Sequence, residues 1–220
     1  MRDIVQFTDD RDEKVEFRAK DVRDILCPNA TVSEIALFLE LCQRQKLNPF
    51  VKDAYLVKYG NAPATMITAK DVFVRRANRN PMYEGIEHGI VYLCNKQVSK
   101  REGAAVYKVA GEQLIGGWAR VYIKGKRPVY AELALDEYST GKSNWAKMPA
   151  VMIDKCAQVA ALRLAFPEDF GGLYIADEMR QVQDAAPVEV EPLHVVEPEP
   201  VVEVDPEQEE QFAAVTYLLG

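Results

Sequence analysis

Between Pro149 and Pro167 nothing in the chain interrupts a helix, and this stretch limits the fold more than any other. Proline suits the first turn of a helix and breaks its interior, so the two prolines mark where one long helix starts and stops. Met152, Cys156, Val159 and Leu162 recur at helical spacing, and Ile153, Ala157, Ala160 and Leu164 widen the stripe. Most of the circumference is therefore expected to be buried. Lys147, Asp154, Lys155 and Arg163 are the few charges, and the three cations are expected to lie along one helix whose ends carry Trp145 and Phe166. A core helix can send long cationic side chains to water without any further role. The rest of the chain has to decide between that role and a binding one.

Charge is distributed unevenly. The 220 residues carry 34 acids and 27 bases, a net charge of −7, yet 12 of the acids and one of the bases lie from Asp177 onward. The preceding residues hold 22 acids and 26 bases, and between Arg44 and Arg163 there are 20 bases against 10 acids. A basic body with an acidic tail points to a polyanionic partner, against the usual alternative of a solvated mixed surface. With 48% hydrophobic residues the chain can bury one sizeable core. Cys27, Cys42, Cys94 and Cys156 form no CxxC pair, and no stretch approaches the roughly 20 apolar residues of a membrane span. Reduced thiols in a cytoplasmic protein are expected, with no membrane association.

Taken in order, residues 1–20 read as a polar hairpin, with Ile4, Val5 and Phe7 before its turn and Val15 and Phe17 after it, and Lys20–Leu26 as a short helix. Thr31-Val32-Ser33-Glu34 is a capping box, and Ile35, Phe38, Leu39 and Cys42 mark the buried face of a helix running to about Gln45. Leu47-Asn48-Pro49-Phe50 is a turn, followed by strand candidates at Ala54–Tyr59 and Ala64–Ile67. Thr68, with Asp71 three positions on, is the expected cap of a further helix, whose core face is Val72, Phe73 and Ala77. Lys70, Arg75, Arg76 and Arg79 give that helix a cationic side. Four β-rich segments, Ile86–Leu93, Ala105–Ala110, Gln113–Ile123 and Val129–Leu135, suggest an antiparallel meander with a basic last turn of Lys124, Lys126 and Arg127. The fold class is α+β: meander and hairpins packed with helices, one of them a long C-terminal core helix. Residues 1–179 form the expected domain, 180–211 a disordered acidic linker rich in Pro, Glu and Val, and 212–220 a short apolar segment able to dock on a partner.

Catalytic signals are scarce. No GxxxxGK[ST], GxSxG or HExxH motif occurs, and His88 and His194 stand alone. No cofactor is required, although the pairs Asp136-Glu137 and Glu168-Asp169 could hold Mg²⁺. Gly116-Gly117 in a strand marks a bulge or a close backbone approach. What remains is a cationic surface interleaved with aromatics: Lys52 with Tyr55, Lys58 with Tyr59, Arg120 with Tyr122, and Lys142 with Trp145 and Lys147. Single-strand binding needs that combination, because cations neutralise phosphates while any base can stack on an aromatic face. A Mg²⁺-dependent nuclease and a phage adaptor protein with a basic interaction face are the alternatives.

The order and spacing of several motifs carry a family resemblance. They are Leu47-Asn48-Pro49-Phe50 leading into Lys52-Asp53-Ala54-Tyr55, Asn144-Trp145 with Met148-Pro149, Ala161-Leu162-Arg163, Ala165-Phe166-Pro167 and Gly171-Gly172-Leu173-Tyr174 ending in Asp177-Glu178. Together they resemble the RecT/Bet family of phage single-strand annealing proteins, from about Val15 to Met179. The resemblance implies an ATP-independent recombinase, not an enzyme, that coats single-stranded DNA as a ring or helical filament and pairs it with a complementary strand. It implies phosphate contacts at Lys147, Lys155 and Arg163, with Asn144 and Trp145 near the groove and Lys52, Arg75 and Lys142 as further cations. A phage exonuclease and a host single-strand binding protein are the implied protein partners. Some members are more basic just after the proline, where this chain has Ala150, Val151 and Asp154, and longer members carry a C-terminal helical module that this tail is too short to form.

Overall fold

The computed structural model describes residues 4–58, 60 and 62–178. Expectations for the 180–211 linker and the 212–220 segment fall outside the described residues, as does most of the acidic tail. The elements begin with a hairpin, β1 (Ile4–Thr8) and β2 (Lys14–Arg18), followed by α1 (Ala19–Asp21), which continues as a π-helical turn to Leu26. Helix α2 (Val32–Arg44) starts at the expected capping box: the Glu34 N–H donates to Thr31 Oγ1 at 3.3 Å and the Thr31 N–H to Glu34 Oε2 at 2.6 Å. Its apolar face, Ile35, Phe38, Leu39 and Cys42, is buried as its spacing dictates.

A second hairpin, β3 (Ala54–Val57) with β4 (Thr65–Thr68), precedes α3 (Lys70–Arg79). Thr68 does not cap this helix. Its residue belongs to β4, where its N–H donates to the Tyr174 carbonyl at 2.8 Å, and Ala69 takes the cap position without a side-chain bond. Pairing with Ala54 in the hairpin and the backbone bond to Tyr174 thus override a local capping signal. Val72, Phe73 and Ala77 are buried, and Phe73 stacks on Phe170 at 5.2 Å between centroids.

The main sheet contains β5 (Tyr83–Cys94), β6 (Gln97–Glu102), β7 (Gln113–Ile123) and β8 (Val129–Ala134), all antiparallel. Their order is β6-β5-β7-β8, which corrects the expected meander. Apolar β5 is paired on both edges, and the polar β6 lies at the sheet's rim, where solvated side chains suit an edge. Ala105–Ala110 is not a strand. The Arg101 guanidinium bonds Glu112 at 2.6 Å and packs on the Tyr92 and Tyr107 rings, and Glu112 accepts the Tyr107 N–H at 2.8 Å. That network holds the segment as a loop with a 3₁₀ turn, leaving Val109 fully exposed despite its β-forming character.

Three short or long helices complete the domain after α4 (Leu135–Tyr138): α5 (Ser143–Lys147), α6 (Pro149–Ala165) and α7 (Pro167–Phe170). Met148, at φ −143° and ψ 57°, breaks the chain between α5 and α6. Lys147 and Trp145 therefore do not share the long helix with Lys155 and Arg163. The buried side of α6 includes Met152, Ile153, Cys156, Val159 and Leu162, whereas Leu164, expected to widen it, is 63% exposed. The glycine pair explains how α6 reaches the sheet. A Cβ on Gly117 would lie 2.7 Å from the Ile153 carbonyl oxygen, and one on Gly116 would lie 2.5 Å from that of Leu133. Only glycine lets helix and strand backbones approach this closely, and the register shift between β5 and β7 falls beside the same pair. Cys27, Cys42 and Cys156 are buried free thiols, and burial pushes the last two well above the ordinary thiol range.

Candidate nucleic-acid interface

The eight candidate residues fall into two groups. The first surrounds the junction of β4 and α3. Ala69 donates its N–H to the Asp53 carbonyl at 2.9 Å, while Thr68 donates to the Tyr174 carbonyl at 2.8 Å, so Thr68 and Ala69 join the Lys52–Asp53 turn to the Leu173–Glu178 turn. Lys52 is exposed in the left-handed region, φ +66°, at the end of a 3₁₀ turn whose Asn48 side chain accepts the Phe50 N–H at 3.0 Å. Arg75 bonds Asp53 at 3.0 Å, and Arg11 binds the same carboxylate through two bonds of 2.9 Å. Asp53 is buried, so two guanidiniums compensate its charge and Arg75 is committed to it.

Lys155 and Arg163 belong to this group and meet consecutive acids. Lys155 Nζ donates to Asp177 Oδ2, and Arg163 Nη2 donates to Glu178 Oε2 at 2.8 Å. Arg163 Nε also donates to the Leu173 carbonyl at 3.2 Å, and its guanidinium lies 4.5 Å from the centre of the Tyr174 ring. Glu178 is buried and accepts the Ile175 N–H at 3.2 Å, which fixes the acidic turn. The two cations are eight residues apart, about 12 Å along the helix axis, and one short turn covers both.

Lys70 joins the group, although its spacing marks it only as part of a cationic helix side. It is half-buried at the first position of α3 and has no ion pair among the described residues. Burial holds its ammonium below the ordinary lysine range, opposed by Asp154 and Asp71 and reinforced by Lys155. A half-buried cation beside a second cation is a favourable place for a phosphate oxygen.

The second group stands at the start of α6. Lys142, Asn144 and Lys147 are exposed and have no side-chain ion pair among the described residues. Trp145, expected near the groove, is 6% exposed and belongs to the core cluster. Its indole anchors the five-residue α5 and thereby presents the polar residues on either side of it. Beside them, a cleft of about 430 Å³ lined by Val106, Leu114, Met148 and Val151 separates α6 from the 104–114 loop.

His88 is not isolated: Nδ1 lies 2.8 Å from Asp154 Oδ1, and Gln158 Nε2 donates to Asp154 Oδ2 at 2.9 Å. The pair joins α6 to β5 and explains an acid on a buried helix face. Asp136 and Glu137 lie in α4, and Glu168 and Asp169 lie in α7, where Asp169 accepts from Asn80 Nδ2 at 2.7 Å. Among the described residues no group of three or more His, Cys, Asp or Glu is arranged to hold a metal ion, and no helix is long and apolar enough to cross a membrane.

Fold and surface together define an α+β domain with cations gathered at two places, around the β4–α3 junction and just before the start of α6. The RecT family matches residues 15–190, and the chain belongs to that family. It is also 30% identical over 152 residues to an uncharacterized protein of Ureaplasma parvum serovar 3, an alignment covering 68% of this chain and 62% of the relative. The matched part of the chain thus spans less than two thirds of that relative's length.

Proposed function

We propose that this protein binds single-stranded DNA and anneals it to a complementary strand without ATP, as part of homologous recombination. Membership of the RecT family over residues 15–190 carries the proposal. The cations at the β4–α3 junction and at the start of α6 support it, since clustered cations attract a polyanion. Lys52, Lys70, Lys142 and Lys147, which have no ion pair among the described residues, neutralise phosphates directly. Lys155 and Arg163 contribute where a phosphate replaces the carboxylate of Asp177 or Glu178. Asn144 supplies a polar contact beside Lys142, and Arg75 supports the Lys52 turn through Asp53.

Annealing requires no covalent step. The protein lowers the repulsion between two phosphate backbones, holds the first strand with its base edges free, and leaves recognition to Watson–Crick pairing. Several subunits in a ring or helical filament would line such sites into a continuous track. A phage exonuclease supplying single strands and a host single-strand binding protein are the partners of that reaction, in the cytoplasm of a bacterial host.

The test is pairing of two complementary oligonucleotides added one after the other, without ATP, across a salt series. Accelerated pairing is expected, with the logarithm of the binding constant falling by about 0.7 per neutralised phosphate for each unit of log salt. No acceleration at any salt concentration would refute the proposal, and cleavage of the strands with Mg²⁺ would favour a nuclease.

A further inference from the structure

The turn between β7 and β8 contains Lys124, Gly125, Lys126 and Arg127, and the chain has no acid between Glu112 and Glu132. Gly125 has φ +69°, the Lys126 N–H donates to the Ile123 carbonyl at 3.1 Å, and the Lys124 N–H donates to the Met82 carbonyl at 2.8 Å. These bonds hold the turn against the segment that follows α3, three residues beyond Arg79. The side chains of Lys124, Lys126 and Arg127 are exposed, and none has an ion pair or side-chain hydrogen bond among the described residues. The contrast with the rest of the sheet is sharp: Lys100 is held by Glu132 at 2.6 Å, Arg101 by Glu112 at 2.6 Å, and Arg120 lies 3.6 Å from Glu87.

The turn's position is also defined. Helix α6 follows β7, with Ile153 over Gly117 and Phe166 6.3 Å from Tyr83, the residue paired with Ile123. The cationic turn therefore lies at the C-terminal end of α6, opposite the end that presents Lys142 and Lys147. Two strands that anneal bring two polyanions together, and a site filled by the first does nothing for the charge of the second. A contact for the second strand must grip phosphates and leave bases free to pair. Three cations separated only by glycine, on a turn with no aromatic residue, have that character, since the nearby Tyr130 ring is already occupied by Lys100, Arg120 and Trp118.

We propose that the Lys124–Arg127 turn is a second phosphate-binding surface, which holds the backbone of the incoming complementary strand. The inference rests on the annealing function proposed above. It is tested in the full chain with Lys124→Ala, Lys126→Ala and Arg127→Ala together, and with a second variant that keeps the charge, Lys124→Arg with Lys126→Arg. Affinity for one oligonucleotide is read by fluorescence anisotropy, pairing by the rate after adding the complement, and assembly size by sedimentation. The alanine variant is expected to bind the first strand within about twofold of the unmodified protein, to pair about tenfold more slowly, and to lose about two units of salt exponent in pairing. The arginine variant should pair at the unmodified rate. An unchanged pairing rate overturns the inference. So does an equal loss of first-strand affinity, which would place the turn in the first site, or a change in assembly size, which would make it a protein contact. Failure of the unmodified protein to accelerate pairing would remove the annealing function, and this inference with it.

Discussion

Glu34 does three things with one carboxylate. It closes the capping box of α2, accepts two bonds from Lys58 Nζ at 3.0 and 2.8 Å, and accepts the Ala64 N–H at 2.8 Å, so the loop end of the β3–β4 hairpin is pinned to a helix start. The Lys58 ammonium, aided by the two backbone N–H groups, lowers its pKa from 4.5 to about 2. A depressed acid stabilises the fold fully above its unfolded value and loses that contribution as pH falls through its folded one. The gap in urea midpoint between the unmodified protein and Glu34→Gln should therefore be widest near neutrality and should close between pH 4.5 and pH 2. A gap independent of pH would show that shape, and not charge, matters at this residue. The capping box was legible because its spacing is local, whereas Lys58 and Ala64 meet Glu34 only through the fold. Lys155 and Arg163 show the same division: their presence on the helix could be read, but Asp177, Glu178 and Tyr174 as their partners could not.

At the scale of elements, the turn from Leu173 to Glu178 covers the cations of α6 that family membership makes candidates for phosphate contact. A carboxylate and a phosphate compete for the same guanidinium or ammonium. Asp177→Asn with Glu178→Gln should therefore tighten single-strand binding at low salt, by about tenfold if the freed cations supply about 1.4 kcal/mol. Anisotropy titration across a salt series checks this, with circular dichroism to confirm the fold. Weaker binding by a folded variant would mean that the acids hold the cations in place for DNA. The elements themselves differed in legibility. Helices α2, α3 and α6 follow from periodicity, because one face of each must be buried. Edge strand β6 was hidden by its polarity, and Ala105–Ala110 misled because Val and Tyr favour strands wherever they occur. The break at Met148 did carry a local signal, because a residue before proline is pushed out of the helical region, as Asn48 is before Pro49.

For the whole molecule, charge asymmetry is the governing property. The full chain has a net charge of −7, whereas the part up to Met179 has 26 bases against 24 acids. Long-range repulsion between an acidic tail and a nucleic acid weakens encounter at low salt and is screened at high salt. Truncation after Met179 should raise the association rate for single-stranded DNA at low ionic strength, with the difference from the full chain vanishing as salt rises. Stopped-flow fluorescence would measure it, and slower association would show that the tail assists binding.

The amino-acid sequence by itself determined the α+β class, the long helix between two prolines, the buried faces of the helices and the segregation of charge, and it marked Gly116-Gly117 as a bulge or a close approach. All of these depend on residues near one another in the chain, where spacing and stereochemistry suffice. Only the tertiary structure decided the strand order, the burial of Trp145, the pairing of His88 with Asp154, and which cations face acids among the described residues. Those depend on groups in different elements, from 11 residues apart for Arg101 and Glu112 to 66 for His88 and Asp154, which meet only when the elements pack.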